Sequence, residues 1–263
     1  MVLFSVCVII IAMRIDRFLC ELNIGSRREV KELLKKGEIL INGKKGLKPD
    51  DKVDELTAVV SYRGKEFRYR PYVYYMMNKP AGVVSATEDL RDKTVLDLLK
   101  EQLSQHDNKD LYGIPSDDIF PVGRLDKDTV GLLLLTNDGA LSHRLLSPAK
   151  HVKKCYYVET DLTIVPEELK KLEIGVDIGE KALTKEAETK LLSEKSCLLT
   201  ITEGKFHQVK RMFQAIGLTV TYLKRVSMGS LVLDEDLPEG RIRELTEEEV
   251  NSLCSNICLL YTS

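Results

Sequence analysis

Much that would direct a reader elsewhere is missing from this 263-residue chain. Its six cysteines form no Cys-x-x-Cys pair, and scattered thiols suit a reducing cytosol better than a disulfide framework. The four histidines have no His or Cys partner at ligand spacing, so no metal is expected. A glycine-rich loop of the nucleotide-cradling kind is also absent, and with it the expectation of any cofactor. Long apolar runs are lacking too. Met1 to Ala12 is apolar, yet it stops short of the roughly 18 residues a membrane span needs and has no basic leader. Residues 1–12 therefore read as an upstream start ahead of a natural one at Met13, with an uncleaved anchor as the alternative. No membrane partner and a cytoplasmic location are expected.

An excess of charge is lacking as well, since the formal net charge is only −2. Its distribution says more than its sum. Arg14 to Lys52 holds eleven Lys or Arg against seven Asp or Glu, a net of +4. His143 to Lys154 holds four cations and no acid, while Asp234 to Val250 holds eight acids against two arginines. Basic residues thus gather in two segments suited to a polyanion, and binding there would weaken steeply with salt. With 43% hydrophobic residues the chain can bury one medium core and a small second one.

The most chemical stretch is Gly123-Arg124-Leu125-Asp126-Lys127-Asp128-Thr129-Val130-Gly131, which runs into Leu132-Leu133-Leu134-Leu135. If the entry to this apolar strand is extended, Arg124 and Asp126 share a face and Leu125 turns away. An arginine within a few ångströms keeps a carboxylate ionised where apolar neighbours shield it, which is what a nucleophile or base needs. A surface salt bridge closing a turn is the plain alternative.

Residues 14–60 read as a separate module. Ser26 caps a helix over Arg27 to Lys36 and Gly37 stops it in the left-handed region. Val30, Leu33 and Leu34 share one face, while Arg27, Arg28, Lys31 and Lys35 are free for phosphates. Glu38 to Ile41 is strand-like and Asn42-Gly43 a tight turn. Further on, helices are expected after Thr94 through about Leu103, over Gly139 to Leu146, from about His207 to Ile216, and after the capping pair Thr246 and Glu249. Cys197 to Thr202 has strand character. Strands and helices intermix without repeating β-α-β units, so the fold class is α+β.

Five ordered segments resemble the bacterial ribosomal pseudouridine synthases of the RsuA type. They are Asn78-Lys79-Pro80-Ala81-Gly82, Gly123 to Leu133, His143 to Pro148, Lys154-Cys155-Tyr156-Tyr157-Val158, and Glu203 to Met212. The resemblance covers roughly residues 72–250. Residues 14–60 resemble the alpha-L RNA-binding domain, through Gly25-Ser26-Arg27-Arg28, Gly37 and Asn42-Gly43, with Phe18-Leu19 departing from its usual leucine. What these likenesses imply is a catalytic domain with a mixed, largely antiparallel central sheet, flanking helices and a central cleft, preceded by a small α/β RNA-binding domain.

The same resemblance implies the roles. Asp126 is the catalytic aspartate, steered by Arg124; Tyr156 is the active-site aromatic; Lys210 contacts the aspartate. Lys79, Arg144, Lys154, Lys205, His207, Gln208 and Arg211 are expected to bind RNA. The implied reaction is isomerisation of uridine to pseudouridine in ribosomal RNA. His207-Gln208 and His143-Arg144 favour 16S rRNA or an assembling small subunit as the partner of a monomeric enzyme. The alternatives are the large-subunit (23S) branch and a non-catalytic ribosome-assembly factor that only binds RNA. The expected organisation is an extension (1–13), the RNA-binding module (14–60), a basic linker (61–71) carrying Arg63, Lys65, Arg68 and Arg70, the catalytic domain (72–250) and a tail without counterpart (251–263).

Overall fold

The computed structural model describes residues 12–22, 24–55, 57–68, 72–105 and 118–258. The chain divides into two compact units, one of residues up to 72 with 103–118, the other of 73–102 with 119 onward.

In the first unit β1 (Ala12–Arg14) pairs antiparallel with β3 (Lys52–Asp54), and α1 (Ile15–Glu21) precedes α2 (Arg27–Lys36). A three-stranded sheet has the order β2 (Ile39–Ile41), β4 (Val59–Tyr62), β5 (Lys65–Arg68). The start of α2 is fixed by a capping box in which Glu29 N donates to Ser26 Oγ while Ser26 N donates to the Glu29 carboxylate. Gly37 ends it at φ +67°, as expected. Val30 and Leu34 bury against Phe18, Leu19, Ile39 and Val60, and Arg27, Arg28, Lys31 and Lys35 all remain exposed. Apolar spacing alone therefore sorts this helix into a core face and a cationic face.

The structure corrects the linker expected at 61–71. Val59–Tyr62 and Lys65–Arg68 pair as an antiparallel hairpin, with Arg63 and Gly64 both at positive φ in its two-residue turn. Such a turn matches the twist of the strands it joins. Residues 69–71, with Arg70, lie outside the described residues, as do 1–11 of the expected extension.

Among the described residues the second unit has nine strands: β6 (Tyr74–Lys79), β7 (Phe120–Pro121), β8 (Val130–Thr136), β9 (Lys154–Thr160), β10 (Glu188–Ser193), β11 (Ser196–Ile201), β12 (Val220–Met228), β13 (Leu231–Val232) and β14 (Ile242–Glu244). The main order is β10-β11-β9-β12-β8-β6-β14, and only the β12–β8 pairing is parallel. This is the mixed, largely antiparallel sheet expected of an α+β fold. Helices α3 (Val95–Gln105), α4 (Gly139–Leu146), α5 (Pro166–Ile174), α6 (Gln208–Ala215) and α7 (Glu247–Cys258) accompany it. All of β8 is buried, as a continuous apolar run in a central strand should be, whereas β9 alternates buried and half-buried residues.

The last helix extends past the boundary expected at 250. Its start is capped by Thr246 and Glu249, and Leu253 packs into the core beside Val250 and Cys254. Residues 251–258 thus continue a core-packing helix, and 259–263 lie outside the described residues. Among the described residues no helix is long and apolar enough to cross a membrane.

Gly131 fixes how closely the two parallel strands approach. It sits at φ +99°, and a Cβ there would lie 2.3 Å from the Arg225 carbonyl oxygen. Backbone cannot retreat from such a contact without opening the β8–β12 pairing. Gly131→Ala is expected to lower the unfolding free energy by at least about 1–3 kcal/mol from backbone strain alone, measured by urea denaturation. An unshifted midpoint would show that this contact does not constrain the sheet.

Candidate active site

The loop from Val122 to Thr129, between β7 and β8, carries the carboxylates, and the segment after β6 holds its backbone. Lys79 is completely buried, and its Nζ donates to the carbonyl oxygens of Pro80, Asp126, Lys127 and Thr129 at 3.0, 3.1, 3.3 and 2.9 Å. Ser85 adds a second clamp, its hydroxyl donating to the Leu125 carbonyl at 3.0 Å and accepting from the Leu125 amide at 3.1 Å. Gly82 N donates to the Lys127 carbonyl at 2.8 Å. Asn-Lys-Pro-x-Gly is therefore more than a turn. It grips the loop from beneath.

Within the loop the alternation inferred from sequence holds: Arg124 is exposed, Leu125 buried, Asp126 half-buried. The expected ion pair does not form. Gly123 takes φ +76° and breaks the extended run, and Arg124 makes no ion pair with Asp126. Two side chains reach Asp126, one from α6 and one from the residue before it. His207 Nε2 lies 3.5 Å from Oδ1 and Lys210 Nζ lies 3.5 Å from Oδ2. Lys210 is bound more tightly to Asp128, at 2.6 and 2.8 Å, and that hydrogen-bonded ammonium holds the Asp128 carboxyl below its usual range.

Opposite the loop, β9 contributes Tyr156 and Lys154 and β12 contributes Arg225. Together with Asp126, Arg124 and Phe206 they line a cleft of about 580 Å³. Phe206 is 72% exposed at its rim and stacks on the His207 ring, with centroids 3.8 Å apart. The cleft thus offers a carboxylate, flanking cations, an aromatic wall and an apolar lip, which suits a planar polar ring attached to an anionic chain.

Several residues expected to bind RNA have other employment. Lys79 is inaccessible, for the reason just given. Gln208 is buried, its Nε2 donating to Glu203 at 2.6 Å and its Oε1 accepting from Lys205 N at 2.8 Å, so it shapes the turn that presents Phe206 and His207. Arg211 donates to Glu180 and to the Phe206 and Ile178 carbonyls. Lys154 is buried on the cleft floor, where burial first and the Arg225 charge second push its pKa down. Lys205 lines the cleft, and Arg144 is half-buried with its Nε unpartnered. Sequence reasoning missed three residues. Asp128 carried a signal, being two positions from Asp126 and on its face if the chain is extended. Ser85 and Arg225 carried none, since neither lies in a recognised motif.

Comparison with known proteins adds the family. The RNA pseudouridylate synthase profile matches residues 73–215 and the S4 domain profile matches 13–56. An uncharacterized RNA pseudouridine synthase of Bacillus subtilis is 47% identical over 245 residues, covering 92% of this chain and 98% of that protein. Ribosomal small subunit pseudouridine synthase A of Vibrio cholerae is 41% identical over 242 residues, covering 92% and 99%. A crystal structure of a pseudouridylate synthase aligns with TM-score 0.62 and 32% identity over 92% of this chain and 99% of that one.

The Lys79 clamp yields a test. Burial lowers the Lys79 pKa from 10.5 to about 8, with Asp128 and Asp126 opposing. Between those values the unfolded chain binds more protons at this site than the folded one, so Lys79 makes stability rise with pH across that window. Lys79→Met, which strips four carbonyls of their donor, is expected to be less stable at pH 8 by about 1–3 kcal/mol. The deficit should widen toward pH 10.5 in urea titrations, because only wild type gains; a deficit that narrows contradicts the lowered pKa, and no deficit at pH 8 contradicts the clamp.

Proposed function

Since the chain belongs to the RNA pseudouridylate synthase family, with an S4 domain ahead of the catalytic one, we propose that it isomerises a uridine of small-subunit ribosomal RNA, with Asp126 as the attacking carboxylate. The observation that carries this reading is the placement of Asp126. Its carboxylate stands on a loop gripped at Asp126, Lys127 and Thr129 by Lys79, beside the Lys210 ammonium and the His207 ring, in the same cleft as Tyr156. Preorganisation of this kind raises reactivity because the charge need not be assembled when substrate arrives.

The glycosidic bond and C5 of a stacked uridine are out of reach, so the nucleotide is first turned out of its strand into the cleft. Tyr156 then lies against the uracil face, and exposed Arg124 takes the space the base has left. Asp126 attacks the ribose anomeric carbon or the base itself. The base detaches, rotates and rejoins through C5, and the C5 proton is lost. Lys210 and His207 orient Asp126, and Lys205 and Arg144 take phosphates of the flanking strand.

In the S4 domain the exposed Arg27, Arg28, Lys31 and Lys35 are the phosphate-facing residues. Beside them a groove of about 700 Å³ lies between α2 and the β4–β5 hairpin, lined by Arg28, Lys36, Tyr62, Arg63 and Lys65. There the Arg63 guanidinium sits 5.0 Å from the Tyr62 ring centroid, a pairing well suited to an unstacked base. The small-subunit assignment is favoured by the Vibrio cholerae relative and by His207-Gln208, which the large-subunit branch usually replaces.

Asp126→Asn is expected to fold and bind RNA with unchanged affinity but to release no tritium from rRNA labelled at uridine C5. Retained turnover would remove Asp126 from the mechanism. Pseudouridine mapping in a strain lacking the gene should show one site lost from small-subunit rRNA. Loss from large-subunit rRNA would support that branch instead, and an unchanged map would support the assembly-factor reading.

A further inference from the structure

The reading above leaves two buried cations on the cleft floor without work. Arg225 is 2% exposed, its Nε donates to the Leu132 carbonyl at 2.8 Å, and its Nη2 is buried with no partner. Lys154, also buried, donates only to the Val152 carbonyl at 3.2 Å. Among the described residues neither forms an ion pair. Arginines are rarely buried unless paired, so an orphaned guanidinium edge beside a cleft points to an acceptor that comes from outside.

Strand register says where that acceptor lies. Arg225 is directly opposite Tyr156 across β12 and β9, which puts both side chains on one sheet face, and Lys154 shares that face two residues earlier. All three line the cleft with Asp126. A ring resting on Tyr156 would bring its edge to the neighbouring guanidinium. On uracil, the acceptors at that edge are the carbonyl oxygens O2 and O4.

We propose that Arg225 is a further catalytic residue, whose free guanidinium edge takes a carbonyl oxygen of the turned-out uracil and stabilises the negative charge that collects there as the base leaves the ribose. This rests on the uridine-isomerising reading of the cleft. When Asp126 attacks the anomeric carbon, a C1′–O bond forms as C1′–N1 breaks, and the bonding pair stays on N1 and spreads onto O2 and O4. Attack of C5 on C1′ then forms the new bond and frees the carboxylate; the C5 proton leaves and N1 takes one up. Lys154 adds a second positive charge beneath the same base. No carboxylate pairs with either cation to cancel their field.

The test uses the full-length protein and small-subunit rRNA labelled with tritium at uridine C5. Single-turnover rates at saturating enzyme, RNA dissociation constants and their salt dependence are measured for wild type, Arg225→Gln and Arg225→Lys. Removing a donor to developing charge typically costs about 10²–10³-fold in rate, and that loss is expected for Arg225→Gln at unchanged affinity, with partial recovery in Arg225→Lys. An unchanged rate overturns the proposal. So does weakened binding with a shallower salt slope and an unchanged saturating rate, which would assign Arg225 to a phosphate. Should Arg225→Gln fail to fold by circular dichroism, wild type decides the matter with 2-thiouridine or 4-thiouridine at the target. One of the two should react at least about tenfold more slowly than uridine, since sulfur accepts weakly; equal rates for all three overturn the assignment. Absence of tritium release from wild type on uridine would instead defeat the underlying reading.

Discussion

A single buried ammonium organises the catalytic domain. Lys79 leaves water entirely, a costly move for a charge, and it is compensated by four carbonyl oxygens that converge on it from the end of β6 and from the loop before β8. Three of those carbonyls belong to Asp126, Lys127 and Thr129, so the loop can take only a shape in which its peptide dipoles point inward at that spot. The carboxylates of Asp126 and Asp128 lie close enough to raise the Lys79 pKa against burial. One side chain thus sets the backbone that carries Asp126 and shares its electrostatics. A neutral donor at the same place would hold fewer carbonyls and answer no carboxylate.

The second constraint is how lightly Asp126 is held. A carboxylate locked in a short bidentate pair is a poor nucleophile, because its lone pairs are already engaged. Here Lys210 spends its short bonds on Asp128, at 2.6 and 2.8 Å, and stands 3.5 Å from Asp126, near enough to attract its carboxylate through space and too far for a strong hydrogen bond. Asp128 therefore anchors the Lys210 ammonium, which stands near Asp126 without being attached to it. His207 makes a similar approach at 3.5 Å, from a left-handed backbone conformation at φ +48°.

What sequence revealed, and what it hid, divides along physical lines. Local signals were legible: the Ser26 capping box, Gly37, the Gly139–Leu146 helix and the Asn42-Gly43 turn each depend on neighbours within a few residues. Asp126 and Lys210 were legible through their motifs, and they do meet. The hairpin over 59–68 was hidden because Arg63-Gly64 is not a familiar turn pair and its second strand, Lys65–Arg68, is largely charged, as solvated edges tend to be. Lys79, Gln208 and Arg211 were misread as RNA contacts because a cation or amide in a basic motif looks the same whether it faces phosphate or a buried carbonyl. Only the fold shows which, since their partners lie as far as 50 residues away in sequence. The continuation of α7 past 250 was missed because the family resemblance ends there, and only the fold shows Leu253 and Cys254 packing against the core.

The glycine that ends the Gly123–Gly131 motif shows why fold and site cannot be separated in this domain. Gly131 lets β8 lie parallel to β12 with the Arg225 backbone almost touching it, at a distance no side chain would allow. The same close approach brings Arg225 Nε onto the Leu132 carbonyl, which pins the guanidinium at the cleft floor next to Tyr156. A parallel pair set into an otherwise antiparallel sheet gives up regularity at that junction, and the junction is where the cleft opens. The motif therefore serves two ends at once. Its Asp126 lines the cleft from one side, and its final glycine holds, through the sheet, the cation that lines the cleft floor.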